Sequence, residues 1–158
     1  GGVAMGSEIS GGIRNVTIRS CLMDNENWSP LRFKSQPSRG GTVENITFED
    51  ITIKGARSIF DINMEWRMVP PLSPAHYPLT CLRNIHFKNI NGEAQSAGTM
   101  YGFKEAPFGN DTFFFENCHI KAQKGLSISN VANVNFKGLE LEIKEGEKIY
   151  ERSANKDK

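Results

Sequence analysis

Two cations stand at alternate positions of a short apolar stretch, Leu31-Arg32-Phe33-Lys34. In a strand, successive side chains point to opposite faces. Arg32 and Lys34 would then leave one face about 6.6–6.8 Å apart, while Leu31 and Phe33 point inward. An Arg fork beside a Lys point charge makes a carboxylate clamp. Spacing alone leaves a solvated basic face as the bland alternative. The polar loop Ser35-Gln36-Pro37-Ser38-Arg39-Gly40-Gly41 follows directly. Carboxylates are less promising. Asp61, Asn63 and Glu65 share one strand face, but Asp61 and Glu65 would be about 13 Å apart. That exceeds the roughly 6.5–9.5 Å across which a general acid and a base share one water, so a solvated face is expected there.

The remaining chemistry-bearing residues suggest little. Trp28, beside Asp24, Asn25, Glu26 and Asn27, could stack on a sugar ring or simply flank a polar turn. His76, His86 and His119 are paired with no nucleophile or metal-type cluster, so surface or ladder roles are expected. Cys21, Cys81 and Cys118 form neither a disulfide framework nor a zinc spacing. Cys21 and Cys118 fall at matching repeat positions, which points to buried free thiols. No ligand set for a metal and no cofactor motif is present.

The elements that must hold these residues emerge from internal repetition. Asn15-Val16-Thr17-Ile18-Arg19-Ser20-Cys21 aligns with Asn45-Ile46-Thr47-Phe48-Glu49-Asp50-Ile51 and with Asn84-Ile85-His86-Phe87-Lys88-Asn89-Ile90. Thr112-Phe113-Phe114-Phe115-Glu116-Asn117-Cys118 and Asn133-Val134-Asn135-Phe136-Lys137-Gly138-Leu139 are a fourth and a fifth copy. Alternation with β-branched and aromatic residues predicts strands. The anchors are 30, 39, 28 and 21 residues apart. A constant strand with irregular spacing predicts an all-β parallel β-helix (a solenoid) of about five coils, with loops of varying length. Asn at one place in four copies predicts a ladder of side-chain amides. Asn15, Asn45 and Asn110 match the glycosylation pattern, but the first two are ladder residues, so sugars are not expected on them.

Further strands are predicted over 31–34, 58–64, 99–103 and 126–129, with Gly55, Gly92, Gly98 and Gly125 at corners. Residues 66–78 carry Pro70, Pro71, Pro74 and Pro78. They predict a loop insertion, because proline cannot join a central strand. The charged residues 144–158 predict a C-terminal cap and tail. The chain opens inside a β segment with nothing to cover the first coil. Residues 1–158 are therefore expected to be the C-terminal part of a single β-helix, incomplete at its N-terminal end and prone to self-association there.

At 158 residues and a formal charge of +1, the chain can bury a core. It offers no electrostatic case for nucleic acid or a membrane surface. No apolar run is long enough to span a bilayer.

The opening Gly1-Gly2-Val3-Ala4-Met5-Gly6-Ser7-Glu8-Ile9-Ser10-Gly11-Gly12-Ile13-Arg14-Asn15-Val16 carries a resemblance, continued by Leu31-Arg32-Phe33-Lys34-Ser35 and Arg39-Gly40-Gly41-Thr42-Val43-Glu44-Asn45-Ile46. Together with Pro70-Pro71, Leu82-Arg83-Asn84-Ile85 and the last two coils, these stretches resemble the polygalacturonase-type glycoside hydrolases of family 28. The resemblance implies a right-handed parallel β-helix, a pectic poly- or oligosaccharide as partner, inverting hydrolysis without a cofactor, and secretion to the periplasm or outside the cell. It implies three aspartates and a histidine as the catalytic groups, upstream of Gly1, so no catalytic residue is expected here and the chain alone should be inactive. Arg32-Phe33-Lys34 matches the family's Arg-Ile-Lys motif, whose cations are implied to hold the substrate carboxylate. Glu8 is implied to line the same cleft, and Tyr101 to match a sugar-contacting tyrosine. Asn25-Glu26-Asn27-Trp28-Ser29-Pro30 differs from the family's shorter turn, which leaves homogalacturonan and rhamnogalacturonan both open. A non-catalytic β-helical module of the tailspike or adhesin kind, or a self-contained sugar-binding domain, are the rival readings.

Overall fold

The alternating pattern is realised as strands throughout the computed structural model, which describes residues 2–24, 26 and 28–153. They are β1 (Val3–Met5), β2 (Ile13–Asp24), β3 (Leu31–Lys34), β4 (Thr42–Asn63), β5 (Cys81–Tyr101), β6 (Phe113–Glu116), β7 (Cys118–Ser129) and β8 (Leu139–Glu151). Every pairing between them is parallel. The order β1-β3-β4-β5-β7-β8 forms one run, with β2 on β4 and β6 on β5. Expectations for Gly1, Asn25, Asn27 and residues 154–158 lie outside the described residues.

The repeat alignment is the pairing register. Val16 faces Ile46, Ile46 faces Ile85 and Ile85 faces Phe113. Their inward neighbours build the core. Val43, Ile46, Phe48, Ile85 and Phe87 are each fully buried. Phe48, Phe87, Phe115 and Phe136 form a stack with ring centroids 5.5, 5.3 and 5.7 Å apart in turn. Phe60 meets Phe87 edge-on at 5.0 Å. The fifth copy departs from expectation. Strand begins only at Leu139, and Val134 and Phe136 pack on the core from an irregular segment. The charged residues from 145 are paired on β7 as far as Ile128 opposite Glu151.

Asparagine turns corners alongside glycine. Asn15, Ser20, Asn45, Asp50, Asn84, Asn89, Asn117 and Asn130 all have φ between 50° and 58°, a region that short polar side chains tolerate best among L residues. Two amide columns result. Asn84 Nδ2 donates to Asn45 Oδ1 at 2.7 Å, and Asn45 Nδ2 to Asn15 Oδ1 at 3.0 Å. The second column, unforeseen in the sequence, runs from Asn117 to Asn89 (2.8 Å) and from Asn89 to Asp50 (2.9 Å). His86 and His119 hydrogen-bond Asn84 and Asn117 and so brace these columns. Of the expected glycine corners, Gly55 and Gly98 have positive φ. Gly92 and Gly125 lie within β5 and β7 and serve close packing instead; a Cβ on Gly125 would stand 2.1 Å from the Glu147 carbonyl oxygen.

A test follows from the first column. Asn45→Ala loses two amide bonds and forces alanine into the left-handed region, so it should destabilise by about 2 kcal/mol. Asn45→Gly keeps the backbone conformation and should cost about half as much. Urea denaturation measures both; an alanine variant as stable as the parent would deny the column a structural role.

One edge of the core is poorly covered. Ile13, Val16, Ile18, Cys21 and Met23 on β2 are only half-buried, whereas their partners on β4 are fully buried. This is why Cys21, expected to be buried, is partly exposed while Cys118 is enclosed. Cys118 donates to the Phe87 carbonyl, and burial pushes its thiol pKa up.

Candidate functional site

Strand β3 supplies the two cations. Leu31 and Phe33 are buried, which obliges Arg32 and Lys34 to face outward together. Parallel pairing extends that face in two rows. Arg32 is followed by Asp61, Thr99, Ser127 and Tyr150, and Lys34 by Asn63, Tyr101 and Ser129. Successive members are about 4.8 Å apart.

Arg32 is tightly held. Its Nε donates to Asp61 Oδ2 at 2.8 Å. Its guanidinium carbon lies 5.4 Å from the Trp66 ring centre and 5.9 Å from that of Trp28. Lys34 Nζ lies 4.9 Å from the Trp66 ring centre. Among the described residues, neither Arg32 Nη nor Lys34 Nζ hydrogen-bonds to a protein acceptor. Both cations therefore sit against an indole with donors to spare.

Trp66 reaches this position because the segment after β4 is fastened to the loop after β3. Trp66 N–H donates to the Ser35 carbonyl at 2.8 Å. Gln36 Nε2 donates to the Val69 carbonyl at 2.9 Å, and Arg39 Nη2 to that of Pro70 at 3.3 Å. Ser38 Oγ accepts from Leu72 N–H, and the Ser38 carbonyl accepts from His76 N–H. Ser35 Oγ pairs with Thr80 Oγ1 at 2.7 Å. Ser35, Gln36, Ser38 and Arg39 are buried beneath the proline-rich loop. Residues 64–80 contain no strand.

Tyr101 shares the Lys34 row, with Asn63 between them. Its hydroxyl pairs with Ser127 Oγ at 3.0 Å, and the Arg152 guanidinium lies 4.3 Å over its ring. Arg152 also bridges to Glu65 at 3.3 Å. Glu8 is exposed, on the segment between Gly6, packed against the Lys34 carbonyl, and buried Ile9. No contact joins Glu8 to Arg32 or Lys34 among the described residues. The structure thus places Arg32 and Lys34 side by side and Tyr101 two strands away, with Glu8 bonded to none of them among the described residues.

Sequence reasoning does not single out Trp66, Asp61 or Arg152 as site residues. Asp61 is legible in principle, because it falls one repeat after Arg32. Trp66 lies in a loop, where no periodicity operates. The expectation that Asp61 and Glu65 merely face solvent is corrected: each pairs with a guanidinium. Among the described residues no cluster of three His, Cys, Asp or Glu side chains could hold a metal. A cavity of about 990 Å³ contains none of these site residues. Lys54, Lys121 and Lys148 alternate there with Glu93, Glu140 and Glu142, so it carries no single-sign field.

The sequence model for glycosyl hydrolases family 28 matches residues 1–141. A polygalacturonase of Ralstonia solanacearum is 35% identical over 106 residues, covering 65% of this chain and 20% of that protein. One of Ralstonia nicotianae is 37% identical over 65 residues, covering 38% of this chain and 12% of that protein. The chain thus spans a fifth or less of the length of these relatives.

Proposed function

The chain belongs to glycosyl hydrolases family 28, and from that premise we propose that it supplies the carboxylate-binding wall of a secreted, pectin-degrading glycosidase. Its architecture is then a right-handed parallel β-helix of about five coils, with residues 1–158 as the C-terminal part. The partner is a galacturonate-containing saccharide. Its carboxylate docks on Arg32 and Lys34, with Tyr101 and Glu8 further along the cleft.

One observation carries this reading: two cations with uncommitted donors beside Trp66 on a single strand face. A planar carboxylate accepts two parallel bonds from an arginine fork and a third from an ammonium. Hydrolysis by inversion also needs a carboxylic acid and a carboxylate on opposite sides of the scissile bond. Asp61 and Glu65 are each committed to an arginine, so neither is free to serve as the acid or the base. The acid and base are assigned to residues outside this chain.

The chain should therefore bind trigalacturonate in a calorimeter and release no reducing ends from polygalacturonate. Sustained turnover by the 158-residue chain would refute the assignment of the catalytic groups.

A further inference from the structure

We propose that Trp28 and Trp66 are the specificity-determining residues of the Arg32–Lys34 face, positioning both cations for a free carboxylate rather than its ester. The inference rests on the carbohydrate reading above and adds to it the two side chains that set selectivity.

Three contacts confine Arg32: Asp61 at Nε, Trp66 at 5.4 Å and Trp28 at 5.9 Å. Trp66 also confines Lys34 at 4.9 Å. A cation near an indole face is attracted by the ring quadrupole, and more strongly where water is excluded. These contacts reduce the rotamer freedom that ligand binding would otherwise remove. The indoles accept no conventional hydrogen bond, so they hold the cations without consuming the N–H groups that a carboxylate needs. Trp66 can do this because its backbone is tied to Ser35 and the loop beyond it to Gln36, Ser38 and Arg39. A methyl ester carries no charge and forfeits the charge-assisted bonds. The bland alternative is two tryptophans that merely shield the aliphatic stems of Arg32 and Lys34.

The chain has two tryptophans, and both are at this site, so indole emission reports on it alone. The test titrates the intact 158-residue chain with trigalacturonate and with its methyl ester, following emission and heat in parallel. Emission should change in step with the heat. Trp66→Ala should weaken binding of the free acid about tenfold, lowering the preference for acid over ester by the same factor. Trp66→Phe should restore affinity to within about threefold of the parent. Circular dichroism checks the fold; should Trp66→Ala lose its cooperative transition, Trp28→Ala carries the same test. Binding heat with unchanged emission, or parental affinity and selectivity in folded alanine variants, would overturn the proposal while sparing the carbohydrate reading. A parent chain that binds neither ligand overturns both.

Discussion

Alanine at both Arg32 and Lys34 should weaken trigalacturonate binding by about 100-fold or more. Hydrogen bonds to charged groups contribute about 1.5–3 kcal/mol each, and 1.4 kcal/mol is about tenfold in affinity. Removing two such bonds together reaches at least that factor. Arg32→Lys should recover little, because an ammonium cannot reproduce the fork or its contact with two indoles. Binding of the parent should also weaken with added salt, since the face is partly open to solvent. Calorimetry of the three chains at two ionic strengths decides the matter. Unchanged affinity in the double variant would remove the basis for a carboxylate site.

Phe87→Ala should be the most destabilising single change, by about 3–5 kcal/mol. Phe87 is fully buried. Its ring meets those of Phe48, Phe60, Phe113 and Phe115. Its removal opens a cavity that rigid β neighbours cannot close. Phe114, one residue from Phe113 and Phe115 but 41% exposed, provides the contrast. It stacks on His86 at the surface, and Phe114→Ala should cost under about 1 kcal/mol. Urea denaturation of the two variants tests whether the phenylalanine stack is the core; equal losses would show that it is not.

Much of the strand framework can be read from residue order, because a strand shows its buried face every second residue. The alignment of Val16, Ile46, Ile85 and Phe113 reproduces the pairing register. The placing of Arg32 and Lys34 on one face follows from the same periodicity. Corners are harder to read. Glycine announces itself, but the positive φ of Ser20, Asp50 and Asn89 is carried by residues equally at home in a strand's polar positions. The Trp66 contacts lie beyond reach, because they depend on how a proline-rich loop folds back across β3. Buried polar side chains such as Ser35 and Gln36, not hydrophobic pattern, guide that loop.

The asparagine columns have a consequence for how such a chain can change. Where the columns run, alignment of a strand on the next is secured locally, by an amide bond between neighbouring strands, and not by the number of residues between them. Steps of 30, 39 and 28 residues are each bridged by such a bond, the last in the second column. Excursions between anchors can therefore lengthen, shorten or be exchanged without displacing the wall that carries Arg32 and Lys34. A lineage or a designer could retailor what that face accepts by editing the excursions alone.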